Sequence, residues 1–142
     1  MSAALHTFCT FWVDEQLFGV DVAHVQEVVS PQRMTHVPLA PGHVRGLLHL
    51  RGQIVTAVDL RAQLALPPMS EEQHMNVVLR HEGRHLGLLV DRVGDVLEVD
   101  AACFARPPQH LPPAVLELVA GVYQLPQQLL LSLEVESLMR SV

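Results

Sequence analysis

Residues 18–29 read FGVDVAHVQEVV, and residues 86–97, which lie 68 positions later, read LGLLVDRVGDVL. Each stretch is a glycine-containing apolar run followed by the pattern Val-x-acid-Val-aliphatic. At an offset of 75 positions, residues 44–59 (VRGLLHLRGQIVTAVD) align in the same way with residues 119–134 (VAGVYQLPQQLLLSLE). Chance agreement between aliphatic strands is the alternative, but shared glycines and acids are not part of a hydrophobic background. We therefore interpret the chain as an internal duplication.

Short apolar segments separated by turn residues recur along the whole chain. They predict four β-hairpins, at residues 7–22, 47–60, 76–90 and 119–135. A further short extended piece is expected at residues 35–38. One or two helical turns could form at residues 23–29, 60–66 and 134–140, all of them shorter than a typical globular helix. Many short strands with little helix predict an all-β protein, a barrel or a sandwich.

The length of 142 residues corresponds to one domain, residues 1–142. Combined with the duplication, it predicts two small β-barrel subdomains, at approximately residues 14–70 and 76–136. We expect them to pack tightly together, because a half of about 65 residues buries little core by itself.

Composition excludes several classes of protein. Hydrophobic residues make up 49% and charged residues 17%, which is too apolar for a disordered chain. The net charge is −6 and no basic run occurs, so no nucleic-acid or anionic-membrane partner is expected. No apolar run has the roughly 18–20 residues that a membrane span requires, and no secretory signal is evident. The two cysteines suggest neither a disulfide framework nor a zinc site, and we expect a soluble, intracellular protein.

One motif points to an enzyme. Residues 81–85 read HEGRH, which matches the zinc metalloprotease pattern His-Glu-x-x-His, with His81 and His85 as ligands and Glu82 as general base. That chemistry requires a helix that places both histidines on one face, whereas Gly83 and the flanking apolar runs predict a strand-turn-strand hairpin. No nucleophile motif and no glycine-rich phosphate loop accompany it. We therefore expect a binding module rather than an enzyme, with no cofactor and no metal, and keep the zinc hydrolase as the alternative.

The two repeats differ at one hairpin tip. Arg51-Gly52 in the first repeat corresponds to Pro126-Gln127 in the second. Structural needs should be common to both copies, so a feature found in one copy is the better candidate for function. Arg51 is that feature, although an ordinary exposed turn arginine is the simpler alternative.

The motifs, taken in order, resemble those of the CheW-like family of bacterial chemotaxis coupling proteins. The resemblance rests on FGVDVAHVQEV at 18–28, VPLAP at 37–41, VRGLLHLRGQIV at 44–55, VDLR at 58–61 and LGLLVDRVGDVL at 86–97. It extends from about residue 8 to residue 138. It implies a fold of two packed five-stranded SH3-like β-barrels, with short helical turns in this chain.

The resemblance also implies a function. Members of the family are adaptors that join the cytoplasmic tips of methyl-accepting chemoreceptors to the regulatory domain of the histidine kinase CheA, and they catalyse nothing. For this chain we therefore expect chemotaxis-type signal transduction and a cytoplasmic location, associated with membrane-bound receptor arrays. A related pathway, such as motility driven by type IV pili, is an alternative, and so is a protein of this fold that binds the kinase but not the receptor.

Five residues are carried over from the family's protein-binding surface. Glu27 and Arg51 stand at the family's characteristic acid and arginine and should lie close enough to interact. Val25 and Gly46 are expected beside them, and Val96 at the second-barrel counterpart. Because adaptors leave apolar anchors for partners, we expect an exposed apolar patch on each barrel, one of them near Val25.

The sequence departs from the family pattern at three positions: His49 stands where asparagine is usual, Thr56 where proline is usual, and Glu134 where aspartate is usual. These differences do not affect the expected fold. They leave open which pathway the protein serves.

Overall fold

The computed structural model describes residues 4–68 and 74–142, and in that part of the chain it is mostly β. The described strands are β1 (Leu5–Val13), β2 (Gln16–Asp21), β3 (Val25–Val29), β4 (Val44–Leu50), β5 (Gln53–Asp59), β6 (Met75–His81), β7 (Arg84–Val90), β8 (Arg92–Asp100), β9 (Phe104–Ala105), β10 (Val119–Gln124) and β11 (Leu129–Leu133). All four predicted hairpins are present: β1–β2, β4–β5, β6–β7 and β10–β11. The all-β prediction is confirmed.

Helical structure is short. The α-helices are α1 (Leu60–Gln63), α2 (Pro113–Leu116) and α3 (Val135–Arg140), and Val22–His24 and Ala101–Cys103 form 3-10 turns. The helical turns expected within 60–66 and 134–140 are confirmed. The one expected over 23–29 is wrong beyond His24, because the β-branched segment Val25–Val29 pairs with β6 as a strand.

The strands form two sheets. One has five strands in the order β3-β6-β7-β5-β4, and the other has six in the order β8-β1-β2-β11-β10-β9. Five strands were expected in each subdomain. The sixth is the two-residue strand β9, which pairs with β10 at the edge of the second sheet.

The predicted duplication is visible in the pairing of the strands. Read in order, β3, β6, β7, β5 and β4 of the first sheet correspond to β8, β1, β2, β11 and β10 of the second. Ala57 lies opposite Gly87 where β5 runs parallel to β7, and Ser132 lies opposite Gly19 where β11 runs parallel to β2. These four residues are related by the same offsets that align the sequence. The duplication therefore extends to the register of single residues.

Each repeat contributes to both sheets. The hairpin β1–β2 begins the first repeat but lies in the six-stranded sheet, and the hairpin β6–β7 begins the second repeat but lies in the five-stranded sheet. The turn at Val22–His24 carries the chain from one sheet to the other, and Asp91 does so after β7. Neither sheet is confined to residues 14–70 or to residues 76–136, the approximate subdomains expected from the sequence.

A continuous apolar cluster joins the two sheets. Phe11 and Phe18 stack within the six-stranded sheet, with ring centroids 6.3 Å apart, and belong to the same cluster as Leu86 and Leu88 of the five-stranded sheet. Each sheet also has a smaller cluster of its own, one around Phe8 and one around Leu48 and Val55. This arrangement fits two small barrels that share a core, which neither barrel could bury alone.

Among the described residues, the structure has no helix with the length and apolarity that a membrane crossing would need.

Candidate protein-binding surface

The hairpin between β4 and β5 turns at Arg51 and Gly52. Both residues have positive φ, 51° and 78°, which is the backbone of a tight hairpin turn that matches the twist of the strands. Glycine adopts this region freely and arginine does not. The same conformation occurs at the Glu82-Gly83 tip, so the backbone alone does not distinguish Arg51. Arg51 is distinguished by its ion-pair partner.

Arg51 contacts Glu27, as the resemblance implied. Its Nε donates a 2.8 Å hydrogen bond to Glu27 Oε2, and Gln26 Nε2 donates to the same oxygen at 3.2 Å. Glu27 lies on β3 and Arg51 at the end of β4, so the pair connects the two outer strands of the five-stranded sheet. The Arg51 side chain is 75% exposed, whereas that of Glu27 is 19% exposed. The guanidinium therefore faces solvent while its carboxylate partner anchors it.

The ion pair stabilises the charged forms of both residues. The hydrogen bond from Arg51 is the main cause that lowers the pKa of Glu27 below its ordinary value, and the hydrogen bond from Gln26 adds to it. The same bond to Glu27 raises the pKa of Arg51. Both groups are therefore charged throughout the neutral range. The other N–H donors of the Arg51 guanidinium make no hydrogen bond within the described residues and are available to an acceptor.

The second repeat has a different surface at the equivalent place. Asp95 corresponds to Glu27 and is exposed, and Pro126 stands where the arginine would be. The backbone carbonyl of Asp95 accepts a hydrogen bond from the Thr10 hydroxyl. No ion pair of the described residues involves Asp95. The charged pair is thus a property of one sheet only, as the unequal hairpin tips predicted.

Val25 and Gly46 are less accessible than expected. Val25 is half-buried and packs against the shared core. Gly46 is buried beneath the segment that leads into β4: a Cβ at this position would lie 2.5 Å from the carbonyl oxygen of Thr35. Thr35 is held there by a bridge to Leu47, which is all that forms of the extended piece expected at 35–38. Gly46 therefore allows backbone to pass over β4.

The equivalent glycine of the second repeat has a similar role. A Cβ on Gly121 would overlap the ring of Phe104, which lies on β9 beside β10, whereas at Gly46 the clash is with the backbone of Thr35. Packing against the segments beside β4 and β10 thus explains Gly46 and Gly121, whereas a Cβ on the other shared pair, Gly19 and Gly87, would meet side chains of nearby strands. Gly46 itself is buried in this packing.

Exposed aliphatic side chains occur at equivalent positions of both repeats. Val96 is 61% exposed on β8, and Val28, its counterpart on β3, is 37% exposed. Ile54 on β5 and Leu129 on β11 form a second such pair. Apolar groups are thus exposed on both sheets, and Val28 lies three residues after Val25. Sequence reasoning missed Val28, Ile54 and Leu129. An apolar residue on the outward face of a strand at the same place in both repeats was the available signal.

The His81–His85 motif has the strand-turn-strand structure that the flanking residues predicted. His81 ends β6 and pairs with Arg84, while His85 lies on β7 and pairs with Arg80. The two histidines are thus on different strands instead of one helix face. Over residues 4–68 and 74–142, no group of three or more His, Cys, Asp or Glu side chains is placed to hold a metal ion.

Comparisons with known proteins agree with this architecture. The family model described as the CheW-like domain matches residues 7–142. The chemotaxis protein CheW of Klebsiella aerogenes is 29% identical over 135 residues, which cover 94% of this chain and 81% of that protein. The CheW of Treponema pallidum is 29% identical over 137 residues, with 93% and 81% covered.

A solved structure has the same fold. The crystal structure of the scaffolding protein TtCheW from Thermoanaerobacter tengcongensis superposes with a TM-score of 0.82 at 23% identity, covering 92% of this chain and 90% of that one. This similarity confirms the predicted fold of two SH3-like subdomains. Because the family model matches nearly the whole length of the chain, the chain belongs to the CheW-like domain family of chemotaxis adaptors.

Proposed function

We propose that this protein is a non-enzymatic adaptor that couples methyl-accepting chemoreceptors to the histidine kinase CheA, through the kinase's regulatory domain. Membership of the CheW-like family supports the adaptor class. The observation that carries the proposal for this chain is the Arg51–Glu27 pair, an oriented and exposed guanidinium that the equivalent hairpin tip of the second repeat lacks. A protein that joins two different partners needs two different surfaces, and this pair makes the two sheets different.

The five expected residues take distinct roles in this proposal. Arg51 is the polar contact residue and Glu27 orients it. Val96 supplies an exposed aliphatic side chain on the other sheet, where burial against a partner adds the apolar contribution that protein interfaces require. Val25 and Gly46 act indirectly: Val25 supports β3 from beneath, and Gly46 lets the segment at Thr35 pass over β4.

The proposal places the protein in the cytoplasm, at the receptor tips in membrane-bound arrays. It requires no cofactor and no catalytic group, because an adaptor acts through geometry and affinity. A related pathway, motility driven by type IV pili, is the alternative, and the receptor fragment that binds would distinguish the two.

The experiment is a pull-down of the purified protein with a CheA regulatory domain and, separately, with a receptor cytoplasmic fragment. Wild type should retain both. Arg51→Ala should lose retention of at least one partner, while Arg106→Ala, at an exposed arginine without an ion pair in the described part of the chain, should behave as wild type. Failure of the wild-type protein to bind either partner contradicts the proposal. Stoichiometric zinc in the purified protein, together with peptide hydrolysis that a chelator abolishes, would support the hydrolase instead.

A further inference from the structure

Arg61 lies at the centre of a second, less exposed ion-pair network. Its Nε and one terminal nitrogen donate 2.8 Å hydrogen bonds to the two carboxylate oxygens of Asp91. The same terminal nitrogen is 3.6 Å from Asp14 Oδ1, and the other donates to the carbonyl oxygen of Pro67 at 2.9 Å. The guanidinium thus has partners on three sides, in a geometry that lysine cannot reproduce.

These partners come from both sheets. Arg61 is on α1, which directly follows β5 of the five-stranded sheet, whereas Asp14 forms the β1–β2 turn of the six-stranded sheet. Asp91 joins β7 of one sheet to β8 of the other. Its backbone N–H donates to the carbonyl of Trp12, and its carboxylate accepts from the N–H of Asp14 at 2.6 Å. The network therefore connects the two sheets outside their shared apolar core.

The network is shielded from water and remains charged. The side chains of Arg61 and Asp91 are 12% and 8% exposed. Burial alone would raise the pKa of Asp91, but the hydrogen bonds from Arg61 and from the Asp14 N–H outweigh it and the pKa lies below its ordinary value. A shielded pair of charges is only weak evidence for stability, but its directional bonds tolerate little displacement of the parts that they join.

The network occurs once in the duplicated fold. The positions equivalent to Arg61, Asp91 and Asp14 are Glu136, Ala23 and Glu82, which include no cation. The equivalent network therefore cannot form at the second junction between the sheets. A role required by the fold itself should appear at both junctions.

We propose that Arg61 is a positioning residue that fixes the orientation of the two sheets relative to each other. It thereby holds the Arg51–Glu27 pair of one sheet and Val96 of the other in the arrangement that two partners must engage together. This inference rests on the proposed function, since the arrangement matters only if both surfaces are used.

The first arm of the test measures the arrangement in the free protein. Nitroxide labels at Gln53→Cys and Glu98→Cys, both exposed and on different sheets, report the distance between the sheets in a Cys103→Ser background, with Cys9 buried. Wild type should give one narrow distance distribution by pulsed electron resonance. Arg61→Lys and Asp91→Asn should broaden it or shift it by several ångströms, roughly the length of the lost contacts. Arg106→Lys is the matched control.

The second arm measures coupling. The same two variants should bind each partner alone within about threefold of wild type, but lose about tenfold or more of receptor-dependent kinase activation. Circular dichroism verifies folding. If both variants fail to fold, Asp14→Asn takes their place, because its carboxylate is 61% exposed and its loss removes the contact of Arg61 with the turn of the six-stranded sheet.

The outcomes separate the two proposals. If the folded variants give the same distance distribution as wild type, the inference is wrong, whatever the binding results are. It is also wrong if a variant with an altered distance distribution couples receptor to kinase normally. A wild-type protein that binds neither partner refutes the proposed function, while the distance arm still shows whether Arg61 fixes the sheets.

Discussion

Replacing Gly46 with alanine should destabilise the fold through a backbone clash. The new Cβ would lie 2.5 Å from the carbonyl oxygen of Thr35, 3.1 Å from its carbonyl carbon and 3.2 Å from the Cβ of Met34. The Thr35 carbonyl cannot simply move away, because it accepts a 2.8 Å hydrogen bond from the N–H of Leu47, and the Thr35 N–H donates to the Leu47 carbonyl at 2.9 Å. Either the bridge breaks or β4 shifts.

The size of the expected loss of stability depends on which atom the new Cβ clashes with, here a backbone carbonyl oxygen. Overpacking a buried site costs about 1–3 kcal/mol, and backbone yields less readily than the far end of a side chain. For a chain of 142 residues, whose Tm changes by about 3–5 °C per kcal/mol, Gly46→Ala should lower the Tm by roughly 3–15 °C. Thermal unfolding followed by circular dichroism measures this directly.

Gly42→Ala is the matched control. Gly42 lies in the same connecting segment, and a Cβ there meets nothing within 4 Å. Gly42→Ala should leave the Tm of the protein unchanged or raise it slightly, because alanine restricts the conformations of the unfolded chain. If Gly46→Ala has the same Tm as wild type and retains the Thr35–Leu47 bridge, the packing role assigned to Gly46 is wrong.

Three further predictions follow from the structure. Arg51→Ala should leave the Tm within about 3 °C of wild type, because exposed ion pairs contribute little to folding, yet weaken partner binding; a large loss of Tm would make Arg51 structural. Because the folded-state pKa of Asp91 is lowered, its contribution to stability is complete above the unfolded pKa of about 4 and is lost as the pH falls through the folded value. Asp91→Asn should therefore reduce the dependence of the unfolding free energy on pH below about pH 4, and an unchanged acid profile would contradict the ion pair. Dialysis against EDTA should leave the Tm within about 1 °C, whereas a clear drop would indicate a structural metal, for instance at His81 and His85.

The strands were predictable because alternating aliphatic segments and turn residues are local signals. β3 was harder, since VQEVV at Val25–Val29 is short and becomes a strand only through pairing with β6, about 50 residues away. The exchange of the hairpins β1–β2 and β6–β7 between the sheets was not predictable from periodicity, which indicates which face of a strand is buried but not which strand it pairs with. The internal duplication still gave the correct equivalences.

The candidate surface was predictable in part. The contrast between Arg51 and Pro126 identified the charged tip, and the structure places Arg51 against Glu27. The role of Gly46 was not evident, because the backbone that crosses it, at Thr35, comes from an irregular segment without a strong pattern. The contact of Arg61 with Asp91 was also missed, because the two residues are 30 positions apart in the chain and meet at the junction where the chain leaves the five-stranded sheet.

The most direct test of the adaptor role is kinase activity in a reconstituted mixture of receptor fragment, CheA and this protein. The proposed function predicts that wild type raises receptor-dependent phosphorylation above the level measured without it. Arg51→Ala, folded and with a near-normal Tm, should reduce that stimulation by about tenfold or more, because arginine is enriched among the few residues that dominate binding at interfaces. Stimulation by Arg51→Ala equal to that by wild type, or no stimulation by wild type itself, would contradict the account.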